Sequence, residues 1–256
     1  MKIVITPKIA KEMLEKNTNN RKVNEKHVVF LSRQMTDGEW VYNGQSVVVS
    51  ADGVLLDGQH RLLACVDSGV QFETELIDGV VSEKAFSTID TGRIRTANDL
   101  VGMGGGRNSH KLTAIARIIL EIAEYNHNDG MFRMGHKRKF TNNEILDFVA
   151  NHNGLEDFVA KTLKFKTPQV AILFILSGND NADVLEFISK YNNGLFDNMN
   201  CPVKKLMEWT TQRGTNFAII KTESAAVTIK AFKAFKKGQL CKRLSFKIGN
   251  EKFPLI

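Results

Sequence analysis

Apolar and polar positions follow two different textures along this chain. Up to about residue 98, short aliphatic runs alternate with short amphipathic stretches. Ile3-Val4-Ile5 predicts a strand that stops at Thr6-Pro7, and residues 8–16 predict a short helix with Pro7 in its first turn. Val28, Leu31 and Met35 recur at helical spacing within 24–36, with Asn24 as N-cap and Asp37-Gly38 as the stop. Ser46–Ser50 reads as a strand, Ala51-Asp52-Gly53 as a hairpin turn and Val54-Leu55-Leu56 as the returning strand. After Asp57-Gly58, the positions of Leu62, Leu63, Cys65 and Val66 predict a helix over 59–68. Phe72 to Val81 reads as a pair of strands turning at Asp78-Gly79.

Beyond residue 107 the period becomes helical. Leu112, Ile115, Ala116, Ile119, Ile122 and Ala123 line one face of 110–125, and Thr141-x-x-Glu144 is a capping box ahead of Ile145, Leu146 and Phe148. Thr167-Pro168 predicts an N-cap followed by proline at the first helical position, and Pro202 opens 203–212 in the same way. Thr222 reads as the cap of a helix over 223–237 that ends at Gly238. The glycine run Gly102–Gly106 reads as a flexible linker, lacking the Gly-Lys-Ser/Thr ending of a phosphate loop. The expected organisation is therefore α+β: a small α/β domain over residues 1–99, then a mostly α-helical domain over 107–256.

Composition is near the globular average, with 43% apolar and 25% charged residues, which excludes disorder or coiled coil for the whole chain. The longest apolar run, Val170 to Leu176, falls far short of the roughly 18 residues a membrane span needs, so no membrane partner is expected. Three scattered cysteines form no disulfide framework, and a reducing cytoplasm is the expected compartment. The six histidines include no pair at metal-ligand spacing, and no structural metal is expected.

Charge changes the picture more. The formal net charge is +7, but residues 1–100 hold 12 Lys/Arg against 14 Asp/Glu, whereas 221–256 hold 9 against 2. A basic C-terminal part favours polyanions, DNA above all, through counterion release. The candidate nucleic-acid contacts are Lys137, Arg138 and Lys139, and Lys230, Lys233, Lys236 and Lys237 of the last helix. The same residues also suit an ordinary solvated surface.

The segment richest in chemistry is Leu55-Leu56-Asp57-Gly58-Gln59-His60-Arg61-Leu62. A buried strand ends, a tight turn follows and a helix starts, so unpaired N–H groups and the helix dipole face the turn. Gly58 would let an anion approach the backbone, and the Arg61 fork would bind a phosphate in bidentate fashion. Gln59 and His60 complete the candidate phosphate set, while Asp57 and His60 are candidate acid or base groups. Against this, Asp57 also suits a plain N-cap, Arg61 an ion-pair partner and His60 a satisfied polar residue. Downstream, Asp90-Thr-Gly92-Arg93-Ile-Arg95 adds a third candidate acid or base group, Asp90, and two further phosphate candidates, Arg93 and Arg95. These read either as a second clamp or as a charged connector.

Gly58-Gln59-His60-Arg61 after a strand resembles the phosphate-binding turn of the ParB/sulfiredoxin-like superfamily, and Asn20-Arg21 is similar to that family's Asn-Pro-Arg box without its proline. The likeness spans about residues 1–82 and is nearest to phage and plasmid proteins with an Asp-Gly-Gln-His-Arg box. It implies a nucleotide partner, a nucleoside triphosphate, held by Arg61 and the helix start, with Arg21 a second phosphate ligand; Asp57 is placed to hold a metal such as Mg2+ carried by that phosphate. Gln59 stands where sulfiredoxin carries its catalytic cysteine, and the Gly-Glu-Arg-Arg form of the partition CTPases is absent. The expected function is a nucleotide-responsive DNA-binding protein. Two alternatives stay open: a phosphotransferase, triphosphatase or, less well supported, nuclease acting at the same turn, and a phage-type protein that binds a host factor. Oligomeric state is not legible.

Overall fold

The structure, a computed structural model, describes residues 1–256 except 19, 81–94, 126–131, 133, 135–137, 213–220 and 255. It is mixed α/β, with ten helices and one four-stranded sheet among the described residues. The chain divides into two compact units, Met1–Ile94 and Arg95–Ile256.

The first unit runs β1 (Lys2–Ile5), α1 (Pro7–Leu14), α2 (Glu25–Thr36), β2 (Ser46–Ser50), β3 (Leu55–Asp57), α3 (Gln59–Ser68) and β4 (Phe72–Val80). Local chemistry sets each start. Thr6 Oγ1 accepts from Ile9 N with Pro7 at the first helical position, and Asn24 Oδ1 accepts from His27 N. The Ala51–Gly53 turn folds β2 back on β3, closed by Ser50 N donating to Val54 O at 2.8 Å. Strand order is β1-β4-β2-β3, with β4 antiparallel to β1 and parallel to β2. Both α1 and α2 pack on α3, and Ile5, Leu31, Val47, Leu55, Leu62 and Phe72 meet in one core.

The expected strand pair around Asp78-Gly79 is instead one strand running through it. Between the pairs Val48↔Ile77 and Ser50↔Val80, β4 has one residue more than β2, a β-bulge. Gly79 takes φ +80° and Asp78 Oδ1 accepts its N–H at 2.7 Å. A turn-forming pair thus serves a bulge, which alternation alone does not distinguish from a reversal.

The second unit contains α4 (Ala97–Met103), α5 (Ser109–Ala123), α6 (Asn142–Asn151), α7 (Leu155–Lys161), α8 (Thr167–Asn193), α9 (Pro202–Gln212) and α10 (Lys221–Lys236). Its core centres on α8, where Val170 to Leu173 have no exposure, against α5 and α10. Residues after α10 return to this core through Leu244, Phe246 and Phe253.

Several expectations are corrected here. Gly102–Gly106 is not the boundary: α4 packs on α5 and α6, and the division falls before Arg95. Gly106 N donates to Val101 O at 3.0 Å, and a β-carbon at Gly106 would meet Val101 Cγ1 at 2.7 Å, so the glycines make a packed turn between α4 and α5. Lys166, not Thr167, is the cap of α8, leaving Pro168 at the second helical position. Thr222 lies inside α10, and its hydroxyl accepts from Met134 N at 2.9 Å rather than capping. Helix α8 also bends at Asp180 (φ −133°, ψ 45°), directly after the poor helix formers Ser177-Gly178-Asn179.

Candidate phosphate turn and basic surface

The Asp57–Arg61 corner forms because β3 is apolar through Leu55 and Leu56, both buried, and the chain must then leave the sheet. Gly58 allows this with φ +103°. A β-carbon there would stand 2.9 Å from Val47 Cγ2 on β2, so close packing alone demands glycine. Helix α3 begins at Gln59 without a side-chain cap from Gly58. The Asp57 carboxylate lies beside this start: Oδ1 accepts from the N–H of the cap residue Gly58 at 2.6 Å and Oδ2 pairs with Arg61 Nη2 at 3.0 Å.

The next three side chains turn inward. Gln59 is 5% exposed, and His60 and Arg61 are each 9% exposed. Gln59 Oε1 accepts from Asn17 Nδ2 at 2.8 Å, and its Nε2 donates to Arg21 O at 3.0 Å. His60 Nε2 accepts from Asn24 N at 3.0 Å, which puts the ring proton on Nδ1. Arg61 Nη2 also donates to Ser46 O, the first residue of β2, at 2.7 Å. Asn20 completes the network, donating to Asn17 Oδ1 at 2.6 Å and to Leu55 O at 2.8 Å. Consecutive residues of α3 therefore fasten the α1–α2 connector, the cap of α2 and the start of β2 to one turn.

This geometry defines what the corner can do chemically. The site already holds an anion, the Asp57 carboxylate, on a helix-start N–H and a guanidinium. A phosphate reaching the same donors displaces that carboxylate. Asp57 spends one lone pair of each oxygen on Gly58 N and Arg61, which makes it a weaker base or metal ligand than a free carboxylate. His60 acts as a base only after releasing Asn24 N.

The structure brings Asp57, Gly58, Gln59, His60 and Arg61 together with the backbone of Arg21, whose residue is exposed. Arg95 belongs to the second unit, where it is exposed and its carbonyl accepts from Asn142 Nδ2 at 3.2 Å. Asp90, Arg93 and Lys137 lie outside the described residues. Sequence reasoning missed Asn17, read only as turn material, and the backbone of Asn24. The amide run Asn17-Thr-Asn-Asn20 was the available signal.

Arg138 bridges Glu124 (2.5 Å) and Glu144 (2.6 Å) and lies 4.5 Å from the Phe140 ring centre, so it is an internal fastener. Lys230 donates to Ser245 O at 2.8 Å and pairs with Glu251, and Lys236 pairs with Asp180. Arg138, Lys139, Lys233, Lys236 and Lys237 are all exposed, as are Lys242 and Arg243 just beyond α10, which the helix-centred reading passed over. Among the described residues no group of three or more His, Cys, Asp or Glu side chains is placed to hold a metal, and no helix is long and apolar enough to cross a membrane. No protein-family model, curated protein or solved structure matches the chain.

Proposed function

We propose that this is a nucleotide-responsive DNA-binding protein of ParB/sulfiredoxin-like type, the second unit gripping DNA backbone and the first taking the phosphates of a nucleoside triphosphate with Mg2+ at the β3–α3 corner. The observation that carries the DNA half is charge placement. Residues 221–256 hold 9 Lys/Arg against 2 Asp/Glu, and Lys233, Lys237, Lys242 and Arg243 are all exposed. Such a surface attracts any duplex, largely without regard to sequence. The nucleotide half is supported by a turn that already binds a carboxylate with a helix-start N–H and a guanidinium.

Fluorescence anisotropy with a duplex of arbitrary sequence, titrated with salt, tests the first half. Affinity should fall steeply, by about 0.9 log units per log unit of salt for each phosphate neutralised. Replacing Lys233, Lys237, Lys242 and Arg243 by Gln should flatten that slope. No binding at low salt would end the DNA reading. A thermal-shift series with ATP, CTP and GTP, with and without magnesium, tests the second half. Asp57→Asn keeps an oxygen for Gly58 N but removes the internal charge, so metal-free triphosphate should bind more tightly. Unchanged or weaker metal-free binding in that variant would place any nucleotide elsewhere.

A further inference from the structure

Two of the three cysteines lie on segments that meet. Cys201 immediately precedes α9, with Lys205 N donating to its carbonyl at 3.0 Å, and Cys241 sits five residues beyond the end of α10. Cys241 N donates to Asn200 O at 2.9 Å, so the two segments touch backbone to backbone one residue from Cys201. That contact sets Cys241 against the residue next to Cys201, and a disulfide asks for a Cα separation of roughly 4.4–6.8 Å. Both cysteines are free, both are partly exposed and both pack against the same apolar core. Burial raises the Cys241 thiol above its ordinary value, Cys201 adds to the rise, and Lys205 opposes it. Cys65 is the built-in contrast. It is buried in the first unit, its Sγ lies 3.7 Å from Ile5 O, and burial pushes its thiol up to about 11.

We propose that Cys201 and Cys241 form a reversible disulfide, a thiol-oxidation site whose co-reactant is a low-molecular-weight disulfide such as oxidised glutathione. One thiolate of the pair attacks a sulfur of the glutathione disulfide, forming a mixed disulfide and expelling one glutathione thiolate. The second thiolate then attacks the protein sulfur of the mixed disulfide, closing the Cys201–Cys241 bond and expelling the other glutathione thiolate. Two protein thiols lose two electrons, and one glutathione disulfide becomes two thiols. The bond staples the segment after α10 to the start of α9. It thereby fixes Lys242 and Arg243, the next two residues, on the second unit. The inference stands whether or not that unit binds DNA.

The test is oxidation of the full chain in glutathione redox buffer, acid quenching and mass spectrometry of the non-reduced digest. The expected product is one intrachain cross-link between the Cys201 and Cys241 peptides, reversed by dithiothreitol, with Cys65 blocked only after unfolding. The oxidised protein should melt higher by about 5 °C or more, since the bond closes a loop of some 40 residues. C201S and C241S should each lose the cross-link and retain glutathione on the remaining thiol. Separate glutathione adducts on both cysteines of the native sequence, cross-links only between chains, or no reaction at either thiol would each overturn the proposal.

Discussion

Gly58→Ala separates the two reasons for a glycine at the β3–α3 corner, backbone packing and anion approach. At φ +103° a residue with a β-carbon leaves the region L-residues tolerate, at a cost of about 1–2 kcal/mol. The new β-carbon would also stand 2.9 Å from Val47 Cγ2 and 3.4 Å from Val47 Cβ and Cγ1. Val47 has no exposure, lies on a strand paired on both sides and is β-branched, so it cannot swing aside. Overpacking of this kind costs about 1–3 kcal/mol, for a total of about 2–5 kcal/mol. Urea unfolding of the first unit reads this through Trp40, which lies edge-on to Phe72 at 5.9 Å, in a Trp209→Phe background that silences the second unit. In a Val47→Ala chain the same glycine substitution should cost about 1–3 kcal/mol less, because the opposing methyl groups are gone. A loss under about 1 kcal/mol, or no coupling to Val47, would refute the packing argument and return Gly58 to a role at an anion.

Other outcomes follow from named contacts. Arg61→Ala should cost the first unit about 2–3 kcal/mol in the same assay, since Asp57 and Ser46 O both lose a charged partner, and Arg61→Lys should recover only part of it. Glu144→Ala removes both the α6 capping box and an anchor of Arg138, for about 1–2 kcal/mol by thermal melting, whereas Glu144→Gln should keep most of the cap. The Lys230 ammonium holds the Glu251 carboxyl below its ordinary 4.5. A carboxyl lowered in the folded state stabilises above its unfolded value, and that contribution disappears as pH falls below 4.5. Carboxyl NMR titration should therefore show Glu251 moving upward in Lys230→Gln, and an unmoved titration would remove the pair. Glu75, held low by the Tyr42 hydroxyl and the N-terminal ammonium, should behave likewise in Tyr42→Phe.

Elements defined by local signals were legible in the sequence. Asn24 before α2, Asp57-Gly58 before α3 and the Thr141–Glu144 box before α6 each place a helix start through contacts within four residues. What was not legible depends on partners far along the chain. Asp78-Gly79 reads as a reversal until β2 is known to lie alongside it. Lys230 and Lys236 read as solvent-facing cations until Glu251 and Asp180 arrive from other segments. The site shows the same division. That Gly58 to Arg61 form a strand-to-helix corner was evident from spacing, but the inward turn of Gln59, His60 and Arg61 was not. Three of their partners, Arg21 O, Asn24 N and Ser46 O, are backbone groups that every residue offers and that no residue type announces.

The fastening of the α1–α2 connector to α3 has a dynamic consequence. Residues 17, 18 and 20–24 have no regular structure, yet Asn17, Arg21 and Asn24 are each tied to Gln59 or His60, more than thirty positions away. Such a loop cannot fray on its own. Its opening must wait for α3 to leave its place, so the Asn24 amide should exchange with deuterium at the pace of the whole unit rather than of a surface strand end. A coil is thereby given the lifetime of a core helix.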